Sequence, residues 1–261
     1  MTTNDSYNQT ADLYDYVVPY ASRADVDFFV TLARETCGPV LELGCGTGRV
    51  LLPTAQAGTQ IVGPDLSTRM LGICRAKLAA ESPQVRECAT LVEGDMRRFD
   101  LDREFALITT PFRSFQHLLT VDDQLACLHC VTRHLAPGGR FVLDVFLPSL
   151  ERLIDQNRVN EHAFEPEFKM PDGRRVIRCS RVPHFDPLNQ VLSVELIHRI
   201  THPNGVQERL THQFQMRCFF RWEAEHLLAR AGFTVEAVCG NYQLAPCGAP
   251  GANEMIFLAR R

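Results

Sequence analysis

The sequence predicts an α/β protein: a Rossmann-like, seven-stranded, mostly parallel sheet with helices on both faces, plus an inserted antiparallel β meander. A buried apolar run ends in a glycine-rich turn at residues 40–48 and leads into a helical pattern. Strand-like runs then alternate with helical patterns up to residue 146, and such alternation is typical of parallel sheets. From residue 162 to 217, strand-like runs follow one another directly through turns, which indicates a meander.

Apolar runs bounded by turn residues define the strands of the predicted core. We expect strands near residues 39–43, 60–64, 88–92, 105–110 and 140–146. Ser67 is placed to cap the helix that follows the second strand, and Thr120 with Asp123 resembles a capping box. The last helix, at 222–231, ends at Gly232 and precedes two strands that we expect to pair antiparallel.

These patterns divide the chain into three predicted parts. Residues 1–36 form a helical lid, in which one helix runs up to Pro19 and a second spans 24–35. Residues 37–157 and 218–261 form the core, and residues 158–217 form the inserted sheet. We expect that sheet to cap the substrate site, to form a dimer surface, or both, so a homodimer is one alternative.

Composition excludes several classes of function. A formal charge of −4 and a pI near 6.1 give no electrostatic reason to expect nucleic acid as a partner. No apolar run is long enough for a membrane span, and the polar N-terminus has no signal-peptide pattern. The ten cysteines are scattered, as expected for buried thiols in a reducing, cytoplasmic compartment, and we expect no metal site. Cys127 and Cys130 form a lone C-x-x-C within a predicted helix, where a structural role is expected and zinc or redox use is the alternative.

The glycine-rich turn reads Glu42-Leu-Gly44-Cys-Gly46-Thr-Gly48. Glycines let the backbone turn tightly and approach a ligand closely because no Cβ intervenes. The spacing differs from the G-x-G-x-x-G fingerprint of dinucleotide sites. A carboxylate at Glu42 would repel a pyrophosphate, but it would accept a hydrogen bond from an ammonium group. Incidental glycines in an ordinary turn remain the alternative.

Two further acids follow the next two strands. Asp65 lies about 20 residues beyond the glycine turn, where a ribose diol is held in nucleotide-type sites. Dehydrogenases share that feature, so Asp65 alone does not identify the cofactor. Asp95 follows the third strand within the segment Gly94-Asp95-Met96.

The turn, in this context, resembles motif I of the class I S-adenosylmethionine-dependent methyltransferases, and the resemblance covers about residues 38–146. It implies S-adenosyl-L-methionine as the cofactor. In that family Asp95 contacts the adenine amino group and Met96 lies against the ring. The residues that the resemblance assigns to the cofactor in the core are Glu42, Gly44, Cys45, Gly46, Gly48, Asp65, Leu66, Met70, Gly94, Asp95, Met96 and Pro111.

Methyltransferases with this organisation often fold an N-terminal helix over the cofactor, with a tyrosine near the transferred methyl. The resemblance therefore assigns Tyr14, Tyr20 and Arg23 to the cofactor site, with Tyr14 also a catalytic candidate and Arg23 facing the cofactor carboxylate. The alternative for both tyrosines is a surface or packing role, and the alternative for Arg23 is a side chain that contacts only water.

The fourth strand ends in residues 109–119, where the acceptor is expected. The segment lacks the Asn/Asp-Pro-Pro-aromatic tetrad of enzymes that methylate nucleobase amino groups. Residues 114–117 instead resemble the S-x-x-H segment of small-molecule N-methyltransferases, including those that act on amino sugars and glycine. His117 is therefore the catalytic candidate, and Phe112, Arg113 and His117 are candidates for substrate binding. A structural histidine and a solvated arginine are the alternatives.

The resemblance implies methyl transfer to a small molecule, to nitrogen rather than oxygen, by direct in-line displacement that releases S-adenosylhomocysteine. No covalent intermediate is required, and the chain carries no G-x-S-x-G nucleophile motif. The rival functions are an NAD(P)-linked oxidoreductase and a non-catalytic protein that binds the cofactor for regulation.

Overall fold

A computed structural model of the chain describes residues 7–21, 23–163 and 165–261. The chain divides into two compact units. We call Ala24–Pro148 with Cys218–Arg261 the core unit, and Met1–Arg23 with Ser149–Arg217 the meander unit.

The core unit contains the predicted seven-stranded sheet, in the order β10-β11-β5-β4-β1-β2-β3. Pairs among β1 to β5 are parallel, whereas β11 pairs antiparallel with both β5 and β10. The predicted fold class and the closing antiparallel pair are confirmed. The strands are β1 Val40–Glu42, β2 Ile61–Asp65, β3 Ala89–Glu93, β4 Phe105–Thr110, β5 Leu135–Phe146, β10 Thr234–Cys239 and β11 Glu254–Arg260.

Helices cover both faces of this sheet. Successive strand residues point to opposite sides, so both faces present apolar side chains that need to be buried. Leu41 packs into one buried cluster with Phe105 and Phe141, while its neighbour Val40 packs into the other cluster with Phe29. The helices of the unit are α3 Asp25–Thr36, α4 Leu51–Gln56, α5 Thr68–Ala79, α6 Pro83–Cys88, α7 Val121–His134 and α9 Arg221–Arg230.

The predicted helix caps are present. The Ser67 hydroxyl accepts a hydrogen bond from the Met70 N–H at 3.2 Å, at the start of α5. The Thr120 hydroxyl accepts one from the Asp123 N–H at 3.1 Å, at the start of α7. Both caps follow strands of the sheet and fix where each helix begins.

The meander unit is built on an antiparallel sheet in the order β6-β7-β8-β9, as the turn pattern predicted. Two short N-terminal helices, α1 Ala11–Tyr14 and α2 Val18–Ala21, belong to the same unit. Leu13 and Val17 pack with Val176 and Ile200 in one buried cluster. The remaining elements are β6 Phe168–Lys169, β7 Arg175–Asp186, β8 Val191–Thr201, β9 Gln207–Arg217 and the helix α8 Leu150–Ile154.

Two predicted boundaries differ from the structure. The helix expected to run to Pro19 is broken, since α1 ends at Tyr14 and α2 begins at Val18. The predicted lid of residues 1–36 is also divided, because α3 belongs to the core unit, and residues 149–157 group with the inserted sheet. The helix predicted at 24–35 is present as α3.

Asp25 explains why α3 belongs to the core. Its side chain is fully buried, and the Arg49 guanidinium donates two hydrogen bonds to its carboxylate, at 2.7 and 2.6 Å. Such a two-point contact is among the strongest ion pairs in proteins. It connects α3 to the residue that follows the glycine turn.

Asp25→Ala should lower the free energy of unfolding by about 3 kcal/mol, because it leaves the largely buried Arg49 guanidinium without its partner. Urea unfolding checks this. Asp27→Ala changes an exposed acid on the same helix, and its effect should stay within about 0.5 kcal/mol. Equal losses for the two variants would contradict the structural role of Asp25.

Candidate active site

The glycine turn after β1 takes a conformation that requires glycine. Gly44, Gly46 and Gly48 have φ values of 74°, 56° and 82°, in the left-handed region that residues with a Cβ rarely adopt. Space is also lacking, since a Cβ on Gly44 would lie 2.8 Å from the Ser114 Oγ atom. The turn therefore lies directly against the segment that follows β4.

Asp65, at the end of β2, holds this turn in place. Its Oδ2 atom accepts a hydrogen bond from the Gly46 N–H at 2.7 Å, and its Oδ1 atom accepts one from the Ser67 N–H at 2.8 Å. These two bonds fix the carboxylate between the glycine turn and the N-cap of α5, and its contact with a ribose diol stays a prediction. Asp65 is half-buried, and Leu66 beside it is 45% exposed.

Glu42 is a buried acid at the start of the same turn. It is 3% exposed, and its Oε2 atom has no hydrogen-bond partner within the part of the chain that the structure describes. Burial raises the pKa of Glu42 well above its usual value; the charge of Arg49 opposes this rise, and Asp25 and Asp65 add to it. A buried carboxylate with no donor is costly, so this position suits a ligand that supplies a cationic donor.

The side chain of Cys45 is buried beside the glycine turn. Its thiol donates to the Gly63 carbonyl at 3.3 Å and is buried. Burial raises the pKa of Cys45 well above its usual value, and the nearby charges of Glu42 and Asp65 raise it further. The side chain is thus a small packing group.

Asp95, which is predicted to contact adenine, has a partner within the protein that the sequence did not indicate. The Arg97 side chain donates to both carboxylate oxygens, through Nε to Oδ1 at 3.0 Å and through Nη2 to Oδ2 at 2.6 Å. Burial acts to raise the pKa of Asp95, but hydrogen bonds from Arg97 and the charges of Arg97 and Arg98 outweigh it, so the pKa lies below its usual value. Asp95 is therefore held ionised and oriented, and its contact with adenine stays a prediction.

Several of the predicted cofactor residues do converge on the glycine turn. A Cβ on Gly44 would lie 3.6 Å from the Met96 Cε atom, and one on Gly46 would lie 3.5 Å from the Met70 Cε atom. Gly94 is joined to the end of β2, since its N–H donates to the Asp65 carbonyl at 3.0 Å. Two methionine tips thus flank the turn as an apolar lining.

The segment after β4 forms a 3₁₀ helix, Pro111–His117, with a kink at its start. Phe112 and Arg113 are both left-handed, with φ values of 53° and 70°. The Ser114 hydroxyl donates to the Pro111 carbonyl at 2.8 Å, and the side chain of His117 is exposed. Pro111 itself is buried at the end of the strand.

Arg113 already has an anionic partner inside the protein. Its guanidinium donates to the Glu254 carboxylate at 2.9 Å, and Glu254 is 1% exposed. Because this pair satisfies a buried charge on β11, the structure accounts for Arg113 without a substrate. The substrate-binding role of Arg113 stays a prediction.

The N-terminal candidates lie in the meander unit. The Arg178 guanidinium donates to the Tyr20 hydroxyl and to Glu165, and the ring of Tyr14 lies 4.9 Å from that of Tyr20. Arg23 is half-buried. The cofactor contacts predicted for Tyr14, Tyr20 and Arg23 stay predictions.

In the ranges that the structure describes, no helix is long and apolar enough to cross a membrane. The same residues contain no group of three or more His, Cys, Asp or Glu side chains that could hold a metal ion. The ten cysteines are free thiols, and most of them are buried.

Sequence reasoning missed the partners that hold these residues. Phe112 and Tyr242 both donate to Asp144, and Arg49 pairs with Asp25. Asp25 sits in the first turn of a helix, where an acid is expected for the helix dipole alone. Asp144 lies in an apolar strand, RFVLDVF, where an acid is unusual and is therefore a signal of a specific partner.

Comparison with known proteins identifies sequences and structures that are similar to this chain. Residues 40–139 match a family described as "Methyltransferase domain". The cypemycin N-terminal methyltransferase of Streptomyces sp is 28% identical over 262 residues, which cover 98% of each chain. A dTDP-3-amino-3,4,6-trideoxy-alpha-D-glucopyranose N,N-dimethyltransferase of Streptomyces venezuelae is 31% identical over 140 residues, 51% of this chain and 56% of that enzyme.

Among solved structures, the glycopeptide N-methyltransferase MtfA in complex with S-adenosyl-L-methionine is 30% identical, with a TM-score of 0.58. The match covers 90% of this chain and 92% of that chain. The predicted activity and cofactor are confirmed at this level: the protein is a methyltransferase that uses S-adenosylmethionine. The chain belongs to the class I S-adenosylmethionine-dependent methyltransferases.

Proposed function

We propose that the protein transfers a methyl group from S-adenosylmethionine to an amine nitrogen of a small molecule. The observation that carries the proposal is the buried Glu42 carboxylate beside the glycine turn, which suits the ammonium group of an amino-acid cofactor. The relatives named above support nitrogen as the acceptor atom, since each is named as an N-terminal, N,N-di- or N-methyltransferase. A dinucleotide would place a pyrophosphate near Glu42, and two like charges would then meet.

The residues present fit the cofactor. Glu42 would accept from its ammonium, and the Asp65 carboxylate at the end of β2 would accept from the ribose hydroxyls. Leu66, Met70 and Met96 would supply apolar contacts, with Gly94, Asp95 and Pro111 as the other candidates from the strand ends. When bound, S-adenosylmethionine supplies a methyl group on a sulfonium, whose leaving group departs uncharged.

The protein's own task is to hold the acceptor nitrogen in line and in its unprotonated form. Orientation of this kind contributes up to about 7–11 kcal/mol to catalysis. His117 is exposed at the end of the segment after β4, and histidine is the side chain best suited to take a proton near neutral pH. We assign His117 as the base and Phe112 as a substrate contact, with Tyr14 as the second catalytic candidate.

The meander unit is proposed to select the acceptor. It carries polar groups inside an apolar core, with Arg178 8% and His198 4% exposed. Burial and the charge of Arg178 lower the pKa of His198 to about 4, so this imidazole is neutral and able to accept or donate one hydrogen bond.

The same unit remains the proposed dimer surface, which light scattering would test. The free thiols support a reducing compartment such as the cytoplasm.

Asp65→Ala should weaken binding of S-adenosylhomocysteine about 10- to 100-fold, because a hydrogen bond to a charged group contributes about 1.5–3 kcal/mol. Isothermal titration calorimetry measures this. Asp122→Ala removes an exposed acid of α7 and should leave the affinity unchanged. An affinity within about twofold of wild type would remove Asp65 from the ribose site.

Cofactor affinity should fall at acid pH, and the fall should begin above the usual range of a glutamate. The pKa of Glu42 is raised, so as pH decreases the side chain takes up a proton early and can no longer neutralise an ammonium group. Titrations from about pH 5 to about pH 9 check this. Glu42→Gln should bind weakly throughout and lose this dependence; if its pH profile matches wild type, another group is responsible.

The acceptor class is tested with defined amines: a dTDP-amino sugar and an alanine tripeptide with a free N-terminus, assayed by product mass. We expect methylation of at least one amine and none of the matching alcohols. His117→Ala should lower kcat about 100-fold while leaving cofactor affinity unchanged. Methylation of the alcohols alone would overturn the assignment of nitrogen, and an unchanged kcat would make His117 structural.

A further inference from the structure

Two adjacent non-glycine residues at the end of β4 are held in a strained conformation. Phe112 and Arg113 both have positive φ, at 53° and 70°. The left-handed region is unfavourable for an L-residue because its Cβ comes too close to the following carbonyl oxygen. Strain of this kind persists only where the surroundings impose it, and it is often found at functional sites.

The backbone of Phe112 is fixed by Asp144. The Phe112 N–H donates to the Asp144 Oδ2 atom at 3.0 Å, and the Tyr242 hydroxyl donates to the same oxygen at 2.8 Å. Asp144 lies in β5, next to β4 in the sheet, and its side chain is fully buried. Tyr242 comes from the loop before β11, and its ring lies 5.7 Å from that of Phe28 in α3.

The side chains of Phe112 and Arg113 contact further residues of the core unit. The Arg49 guanidinium lies 4.8 Å from the centre of the Phe112 ring, and Arg113 pairs with the buried Glu254 of β11. Parts of the turn after β1, of β5 and of β11 therefore converge on the kink. This convergence provides the imposed geometry that the strain requires.

The sheet itself does not need Asp144. Asp144 pairs with Ile256 through the backbone of β5 and β11, and any side chain would allow that pairing. A buried carboxylate is costly compared with an apolar residue of similar size. Its side chain contacts the kink instead, through hydrogen bonds from the Phe112 N–H and the Tyr242 hydroxyl.

The kink determines the position of the next side chains. Ser114 follows directly and lies against Gly44 of the cofactor turn, and His117 ends the same short helix. We propose that Asp144 and Tyr242 are positioning residues, which hold the Phe112–Arg113 kink and thereby fix the reacting segment 114–117 against the cofactor turn. This inference rests on the proposed function only for the role of His117.

Tyr242→Phe tests the inference with little change in packing, because the ring remains between its aromatic neighbours. Its kcat for the amine acceptor should fall about 10- to 100-fold, since small misplacements of reacting groups have effects of that size. The affinity for S-adenosylhomocysteine should stay within about twofold of wild type. Hydrogen exchange in the peptide covering residues 111–118 should be faster, since the Asp144 carboxylate loses the contact that orients it and holds the Phe112 N–H less firmly in place.

Asp144 variants provide the graded comparison. Asp144→Asn keeps an oxygen that can accept from the Phe112 N–H, so its kcat should lie between those of wild type and Asp144→Ala. Tyr16→Phe, at a tyrosine that is 39% exposed, is the matched control and should behave as wild type. The inference is overturned if Tyr242→Phe leaves both exchange in 111–118 and kcat unchanged, or if its cofactor affinity falls in parallel with kcat.

The exchange measurement separates this inference from the proposed function. If wild-type protein methylates no amine while Tyr242→Phe and Asp144→Ala still speed exchange in residues 111–118, the acceptor assignment fails and the positioning role stands. If amines are methylated normally by both variants and exchange is unaltered, the positioning role fails and the proposed function stands.

Discussion

Buried carboxylates at the carboxyl edge of the sheet need hydrogen-bond donors, and the rest of the site depends on this constraint. Each such acid would destabilise the core if it had no donor. Three of them are paired through side-chain contacts that also tie separate elements together: Asp25 with Arg49, Asp144 with Tyr242, and Glu254 with Arg113. Glu42 differs, because among the described residues it makes no such side-chain pair, and its buried Oε2 atom has no donor there. That difference separates the acids that hold the fold from the one that we propose as a contact of the cofactor.

The same contacts explain how the short 3₁₀ helix Pro111–His117 and the glycine turn form a defined site. The turn has no side chains at Gly44, Gly46 and Gly48 that could hold it, so its shape depends on Asp65 and on the Ser114 segment beside it. That segment depends in turn on the kink at Phe112 and on its partners. The site is thus a chain of mutually supporting contacts that are spread over four strand ends and α3. The glycines leave space beside the turn, and the acids fix the positions of the segments around it.

The meander unit illustrates a different constraint. Helices of four residues, such as α1 and α2, are not stable alone because helix nucleation is costly. They persist because Leu13 of α1 and Val17, which directly precedes α2, pack against strands that come more than 150 residues later in the chain. The N-terminal segment and the inserted sheet therefore form one folding unit, although the sequence predicted two separate parts. A boundary between parts was visible in the sequence, but the association of the N-terminal segment with the inserted sheet was not.

The sequence by itself determined the strands, the helix caps, the glycine turn and the order of Glu42, Asp65 and Asp95, because local periodicity and turn chemistry encode these features. Only the tertiary structure decided which charged and polar groups meet. Arg113 and Glu254 are 141 residues apart, and Tyr242 and Asp144 are 98 apart. A pattern of apolar residues shows that a side chain is buried, but crossover connections in a parallel sheet bring distant strand ends together. The partner of a buried acid is therefore set by sheet order and register, and no local pattern contains that information.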